Sequence, residues 1–181
     1  MNSIIKKIGW QRIITSILFI ISTLWILFQF IAPLMLPSGS INDLSGSVAL
    51  LDNREKINEM DKPWGTIYTI GDRLCHQIAS RSLFLNGNQM PFCVRCTAIW
   101  LGLSVGLGYM VFFKHEINEK ILIVIIIGVA PMGVDGTGQL LGFWESTNTI
   151  RFITGLLSGL SCGLETGVII KEILPRQSMK K

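Results

Sequence analysis

Three of the four cysteines lie in one short stretch that runs from Cys75 to Cys96. Cys75 is followed directly by His76, and after sixteen further residues (77 to 92) Cys93 and Cys96 form a Cys-x-x-Cys motif. Two pairs of metal-binding residue types joined by a loop are typical of zinc sites. The match is incomplete if Cys75 and His76 lie on a helix, because adjacent helical residues point about 100° apart and rarely reach one ion.

The same thiols suit two other kinds of chemistry. A structural disulfide between two of them, such as Cys75–Cys93, is favoured by an oxidising outer compartment. Redox-active thiols are the other alternative, because Cys93 and Cys96 lie where a membrane helix is expected to begin. Free N–H groups at a helix start stabilise a thiolate. The residue pattern leaves these alternatives open. Cys162 lies well inside another hydrophobic segment and is expected to be a small packing residue.

Ionisable residues near the hydrophobic segments form a second group of candidates. Asp135 is expected at the level of the Cys-x-x-Cys motif, and an ionisable residue inside a membrane is usually paired. It either forms a pair with Arg95 or Arg151 or serves directly as a metal ligand or proton acceptor. The candidate metal ligands are Cys75, His76, Cys93, Cys96 and Asp135. The candidates for binding an anionic group are Arg73, Arg81, Arg95 and Arg151.

The elements that carry these residues are hydrophobic segments long enough to cross a membrane. The run from Ile13 to Ile31 has nineteen residues and no charge, and a helix of that length spans a hydrocarbon core of about 30 Å. Residues 91–113, 121–143 and 150–170 have a similar character, although Pro131 and several glycines should make the third segment irregular. The sequence therefore predicts an all-α membrane protein with a bundle of four transmembrane helices.

An additional amphipathic helix is expected at the outer interface, before the second membrane helix. Asp61 and Pro63 are helix start signals, and apolar residues recur from Trp64 at spacings of three and four. This face extends to Cys75 and Ile78, which would place Cys75 on the helix. Trp64 and Tyr68 are expected at the level of the lipid headgroups.

The chain divides by composition into four parts. Residues 1–36 hold the N-terminal tail and first membrane helix, and residues 37–63 form a polar outer loop that is expected to be a solvated linker. Residues 64–170 hold the interfacial helix and three membrane helices, and residues 171–181 form a basic tail.

The net charge of +4 does not indicate nucleic-acid binding, because the basic residues cluster beside the ends of the membrane segments. They precede the first segment, occupy the loop between the second and third, and follow the fourth. The positive-inside rule then predicts a multi-pass protein of the cell membrane with both termini in the cytoplasm. The lipid bilayer is its expected environment, and the cysteines lie on the outer side.

Small residues form a repeated pattern on two of the membrane segments. Four glycines follow one another at intervals of four in the last segment, at positions 155, 159, 163 and 167. Ala98, Gly102 and Gly106 form a matching face on the second segment. Such a glycine zipper lets two helix backbones approach closely. The pattern predicts a compact bundle and is assigned no chemistry.

Two groups of polar residues resemble the signature of a known family. The first contains Cys75-His76-Gln77, Arg81-Ser82, and Cys93-Val94-Arg95-Cys96-Thr97. The second contains Asp135-Gly136-Thr137-x-Gln139 and Asn148-x-x-Arg151. Over residues 65 to 170 the chain resembles a family of small prokaryotic membrane proteins catalogued as a domain of unknown function. It departs from the signature at Leu83 and at Ala98, where the family tends to carry glycine. The resemblance implies a membrane protein whose signature residues act together, and it brings no activity with it.

The leading interpretation is a metal ion, zinc in the first instance, held at the outer face. Its ligands would be Cys75, Cys93 and Cys96, with either His76 or Asp135. A first rival is a membrane thiol–disulfide oxidoreductase in which Cys93 and Cys96 exchange with Cys75 as partner. A second rival is a small carrier or lipid-headgroup-binding protein that uses the arginines. Whether the chain is an enzyme is left open.

Overall fold

The structure, a computed structural model, describes residues 9–113 and 119–174. Its helices are α1 (Trp10–Met35), α2 (Arg54–Asn58), α3 (Trp64–Leu74), α4 (Val94–Phe112), α5 (Glu119–Leu140) and α6 (Asn148–Ile173). A short 3₁₀ turn, Ala79–Arg81, leads into an antiparallel hairpin of strands β1 (Ser82–Leu85) and β2 (Asn88–Cys93). The fold within these ranges is therefore helical apart from one small sheet.

Four of the helices are long and apolar enough to cross a membrane, namely α1, α4, α5 and α6. This confirms the predicted four transmembrane helices. Helix α5 continues without a break through Pro131, and it exposes large apolar side chains such as Ile126 and Ile127. Exposed apolar surface on a membrane-spanning helix faces lipid rather than water. The expected orientation of the termini depends on basic residues that lie mostly outside the described residues.

Helices α4 and α6 approach each other closely along their small residues. A Cβ atom added at Gly159 would lie 2.1 Å from the carbonyl oxygen of Ile99, and one at Gly102 would lie 2.3 Å from that of Leu156. Ordinary side chains do not fit at these distances. The close approach fixes the start of α4 against the start of α6.

The connection between α1 and α3 is exposed along most of its length, as expected of a solvated linker, but a few of its residues anchor it in a core. Ile41, Leu44 and Ile57 from this connection are buried together with the end of α1 and the apolar face of α3. Tyr68 was expected at the lipid headgroups, but it is fully buried in this cluster. Three apolar residues of this polar segment thus complete a small core with residues of α1 and α3.

The bundle has two distinct ends. Helix α1 begins beside the end of α6, where the Gln11 side-chain amide donates to the carbonyl of Lys171 at 3.1 Å. The connections 36–93 and 141–147 therefore lie together at the opposite end. The two strands of the hairpin at that end were not predicted, although Asn86-Gly87 was expected to turn the chain back. Both turn residues have positive φ angles, 54° and 72°.

Candidate functional site

The first cysteine lies just beyond the end of α3. The helix ends at Leu74, and Cys75 is extended with φ −144° and ψ 147°. The prediction that Cys75 and His76 lie on the helix is therefore wrong. The extended backbone buries Cys75 and leaves His76 exposed.

A close contact brings this end of α3 against β2. A Cβ atom at Gly71 would lie 2.1 Å from the carbonyl oxygen of Pro91 and 2.7 Å from the side-chain nitrogen of Gln77. Gln77 donates a 2.8 Å hydrogen bond to the same carbonyl. Because Pro91 is two residues before Cys93, this contact sets the distance between Cys75 and the Cys-x-x-Cys motif.

A network of buried polar side chains surrounds the contact between α3 and β2. Asp72 accepts hydrogen bonds from the side chain of Asn53 at 2.6 Å and from its backbone N–H at 3.2 Å. Asn53 also donates to the Gln77 side chain at 3.3 Å, and Gln89 donates to the backbone carbonyl of Gln77. Buried networks of this kind rigidify their surroundings when every member is satisfied. This hydrogen-bond network therefore favours a fixed position of Cys75 relative to the Cys-x-x-Cys motif.

The three thiols meet at the start of α4. Cys93 directly precedes the helix and Cys96 lies in its first turn. The three Sγ atoms of Cys75, Cys93 and Cys96 all lie within 4.8 Å of one another, and the Cys93 N–H donates to the Cys75 Sγ atom at 3.3 Å. All of these cysteines are free thiols in the structure. The predicted convergence of the three is confirmed.

The thiols share hydrogen bonds that favour a thiolate at Cys93. Its pKa falls to about 2, chiefly through hydrogen bonding from the Cys75 thiol and then from Cys96. The free N–H groups of the first helical turn act in the same direction. The pKa of Cys75 is raised, first because its thiol proton is held by Cys93. These hydrogen bonds therefore favour the negative charge on Cys93 rather than on Cys75.

A second polar cluster joins the same ends of α4, α5 and α6. Arg95, between the two cysteines of the motif, forms an ion pair with Asp135. The Asp135 carboxylate also accepts from Gln139 at 3.2 Å and from the Trp144 indole at 3.3 Å. Gln139 in turn accepts from Arg151 at 3.1 Å. Of the two pairings considered for Asp135, the structure contains the one with Arg95.

The other candidate residues lie around these two clusters. The close group of three sulfurs includes neither His76 nor Asp135, so ligation of a metal by either stays a prediction. Arg81 and Arg151 line a cavity beside the hairpin. Arg73 is exposed at the end of α3, outside that cavity.

Comparison with known proteins identifies a family. A family model described as "Predicted membrane protein (DUF2085)" matches residues 75–164. An uncharacterized protein of Methanothermobacter thermautotrophicus is 33% identical over 101 residues, which cover 56% of this chain and 91% of the relative. The chain belongs to this family of membrane proteins. The resemblance noted from the signature residues is confirmed.

The DUF2085 match covers nearly all of the candidate site. It begins at Cys75 and includes every candidate ligand and every candidate arginine except Arg73. An uncharacterized protein of Methanocaldococcus jannaschii is 41% identical over 97 residues, covering 52% of this chain and 62% of that relative. No solved structure matches the chain.

Sequence reasoning missed the residues that support the thiols. Gln77 was noted only as part of the signature, and its role in fixing Pro91 was not predicted. Asn53 and Gln89 were not singled out at all. Several side-chain amides lie next to hydrophobic residues between positions 53 and 89, and this pattern could have indicated buried hydrogen bonds. It does not show which groups bond to each other.

Proposed function

We propose that this DUF2085 protein binds a metal ion, most suitably zinc, through the thiolates of Cys75, Cys93 and Cys96. The observation that carries the proposal is the mutual approach of the three Sγ atoms to within 4.8 Å. Tetrahedral zinc with Zn–S bonds of about 2.3 Å separates its sulfur ligands by about 3.8 Å. Small side-chain adjustments would bring the three sulfurs to that spacing.

The donor set favours a soft or borderline ion over a hard one. Thiolates select zinc, copper(I) or iron, whereas magnesium and calcium prefer oxygen ligands. Asp135, the carboxylate considered as a ligand, is engaged by Arg95. Three protein ligands leave the fourth position of a tetrahedral zinc ion for water, for an external ligand or for His76. An open position is typical of catalytic zinc, and a closed one is typical of structural zinc.

The surroundings of the thiols suit a negatively charged metal centre. Zinc with three thiolates carries a net charge of −1, and such a charge needs a nearby cation when water is scarce. Arg95 lies within the motif itself, and its Nε atom is buried without a hydrogen-bond acceptor among the described residues. We infer that Arg95 offsets part of the charge on the loaded site while Asp135 holds it in place.

Metal content of purified full-length protein tests the proposal. Cys75→Ser, Cys93→Ser and Cys96→Ser should each weaken zinc binding by more than about 100-fold, because even loss of an outer supporting contact costs about 10- to 100-fold. Cys162→Ser is the matched control and should retain the wild-type zinc stoichiometry. Elemental analysis after dialysis against a competing chelator measures the difference.

Alkylation of the native protein separates metal binding from a disulfide. Bound zinc protects all three thiols until a chelator removes it, because thiolate ligands do not react while they are coordinated. A disulfide protects two thiols until a reductant is added and leaves the third to react alone. Protection that only a reductant removes would rule out the metal site.

A thiol–disulfide oxidoreductase is the second candidate function. It is favoured by the position of Cys93 at the helix start, where it is partly exposed and has a low pKa. A thiolate of this kind attacks a disulfide of a partner and forms a mixed disulfide, while the other sulfur of the partner leaves as a thiolate. Cys96 then attacks the Cys93 sulfur, which releases the reduced partner and leaves a Cys93–Cys96 disulfide. A measurable two-electron reduction potential for Cys93 and Cys96 in metal-free protein, abolished by Cys96→Ser, would support this function.

We propose that the cluster lies on the outer side of the membrane, as the distribution of basic residues indicates. A reporter that is active only in the cytoplasm should be active when fused after Lys181 and silent when inserted near Ser47. The opposite pattern would place the thiols in the cytoplasm, where they remain reduced.

A further inference from the structure

A polar cavity lies beside the candidate metal site but contains none of its sulfurs. It has a volume of about 300 Å³, which is at the lower end of the range of small-ligand sites. One wall is the chain that enters the hairpin, from Ile78 to Arg81, and the other is the loop 145–148 with the first turn of α6. The cavity therefore lies between a loop and a membrane helix at the same end of the bundle as the thiols.

Arg151 is the buried cation of this cavity. Only 7% of the residue is exposed, and its terminal nitrogens donate to the side-chain amides of Asn148 and Gln139, each at 3.1 Å. These partners are neutral. Among the described residues, no carboxylate lies within 4.0 Å of Arg151, because the ion pair found there joins Arg95 to Asp135. A buried charge that has only neutral partners is costly.

Arg81 gives the cavity a second guanidinium. It is half-buried and likewise has no carboxylate within 4.0 Å in the described part of the chain. Ser146 adds a buried hydroxyl to the lining. The acidic residue of the lining is Glu145, whose side chain is exposed. The lining therefore contains two arginines and one exposed carboxylate.

We propose that this cavity binds a phosphate-type oxyanion between Arg81 and Arg151. The planar guanidinium group matches the oxygens of a phosphoryl group with paired hydrogen bonds. The ligand would supply the negative charge that Arg151 lacks in the protein. The site is separate from the thiols, so it stands or fails independently of the proposed metal.

The phosphoryl group has two sources at a membrane boundary, a free phosphate and a lipid headgroup. Both present the same phosphoryl oxygens to the arginines. They differ because a lipid headgroup is attached to acyl chains in the bilayer and a free phosphate is not. Binding of inorganic phosphate to detergent-solubilised protein tests the first source. The second source is tested with protein reconstituted into phosphatidylcholine vesicles that contain or lack phosphatidylglycerol. The binding of phosphatidylglycerol to the protein is measured.

Calorimetric titration of full-length protein with inorganic phosphate provides the first measurement. Arg81→Gln should weaken binding about tenfold, since it removes a charge-assisted hydrogen bond. Glu145→Gln should strengthen it, because a repelling carboxylate is lost. Arg73→Gln is the matched control: this arginine is exposed outside the cavity, and its loss should change the affinity less than about twofold. Arg81 is preferred to Arg151 as the test position because Arg151 also holds Asn148 and Gln139.

The results discriminate clearly. Phosphate binding that Arg81→Gln weakens and Arg73→Gln does not would support a site for a free anion. If inorganic phosphate does not bind, a dependence of phosphatidylglycerol binding on Arg81 and not on Arg73 would support a lipid-headgroup site. Equal effects of the two arginine variants, or no binding in either arm, would overturn the proposal.

Discussion

The contact between α4 and α6 provides a sharp test of the bundle. Replacing Gly159 by alanine would place a Cβ atom 2.1 Å from the carbonyl oxygen of Ile99, where ordinary contact begins at 3.4 Å. The shortfall is 3.4 − 2.1 = 1.3 Å. The carbonyl belongs to a helix backbone and has no rotamer to change, so the two helices must separate or bend.

The expected cost follows from two opposing effects. Overpacking costs about 1–3 kcal/mol, and a clash with a backbone lies at the upper end of that range. Alanine is about 1 kcal/mol more favourable than glycine inside a helix, which leaves a net loss of about 2 kcal/mol. Gly133→Ala in α5 is the matched control, because a Cβ atom there meets nothing within 4 Å. It should be neutral or slightly stabilising.

Unfolding of the purified protein in mixed detergent micelles, followed by circular dichroism as the fraction of sodium dodecyl sulfate rises, measures both variants. Gly159→Ala should unfold at a lower fraction than wild type, and Gly133→Ala should not. If the two variants unfold together with wild type, α4 and α6 do not pack along this face.

Three further predictions concern single buried groups. Burial raises the pKa of Tyr68 above its ordinary value of 10.0, so the folded state retains the proton more strongly than the unfolded state does. The free energy of unfolding should therefore decrease as the pH rises above 10.0, and Tyr68→Phe should flatten that decrease in melts recorded at several pH values. Asp135→Asn should destabilise the fold by up to about 3 kcal/mol, because Arg95 loses its counter-charge. Unfolding in detergent measures this loss, and a double variant, Arg95→Gln with Asp135→Asn, should recover part of the lost stability. Asn88 is fully buried and donates to carbonyl groups at the end of α1, so Asn88→Ala should cost about 1–3 kcal/mol and increase cleavage of the 37–62 connection by added protease.

The membrane-spanning part of the fold was predictable because it depends on length and composition alone. A charge-free run such as Ile13–Ile31 has few other stable environments, and the structure has a helix there, Trp10–Met35. The approach of Cys75 to the Cys-x-x-Cys motif was also predicted, since all three cysteines lie at the same predicted membrane boundary. The identity of a bound metal does not follow from either argument and stays a prediction.

The part outside the membrane-spanning helices was predicted less well, for local physical reasons. The apolar spacing that begins at Trp64 continues past Leu74, so periodicity overestimated the length of α3. The helix ends at Leu74, and three residues later Gln77 adopts a positive φ angle of 47° and donates its side-chain amide to the carbonyl of Pro91. That contact joins residues fourteen positions apart, which a periodicity argument cannot detect.

Arg95 joins the Cys-x-x-Cys motif to the polar cluster on α5 and α6. Its backbone lies between the two cysteines of the motif, and its side chain is paired with Asp135 on α5. Asp135 is bonded to Gln139, and Gln139 to Arg151 on α6. These contacts connect the segment that carries the two cysteines to α5 and α6. The second signature group, which contains no cysteine, is thus joined to the first through Arg95, a contact that fits the proposed role of Arg95 beside a loaded metal site.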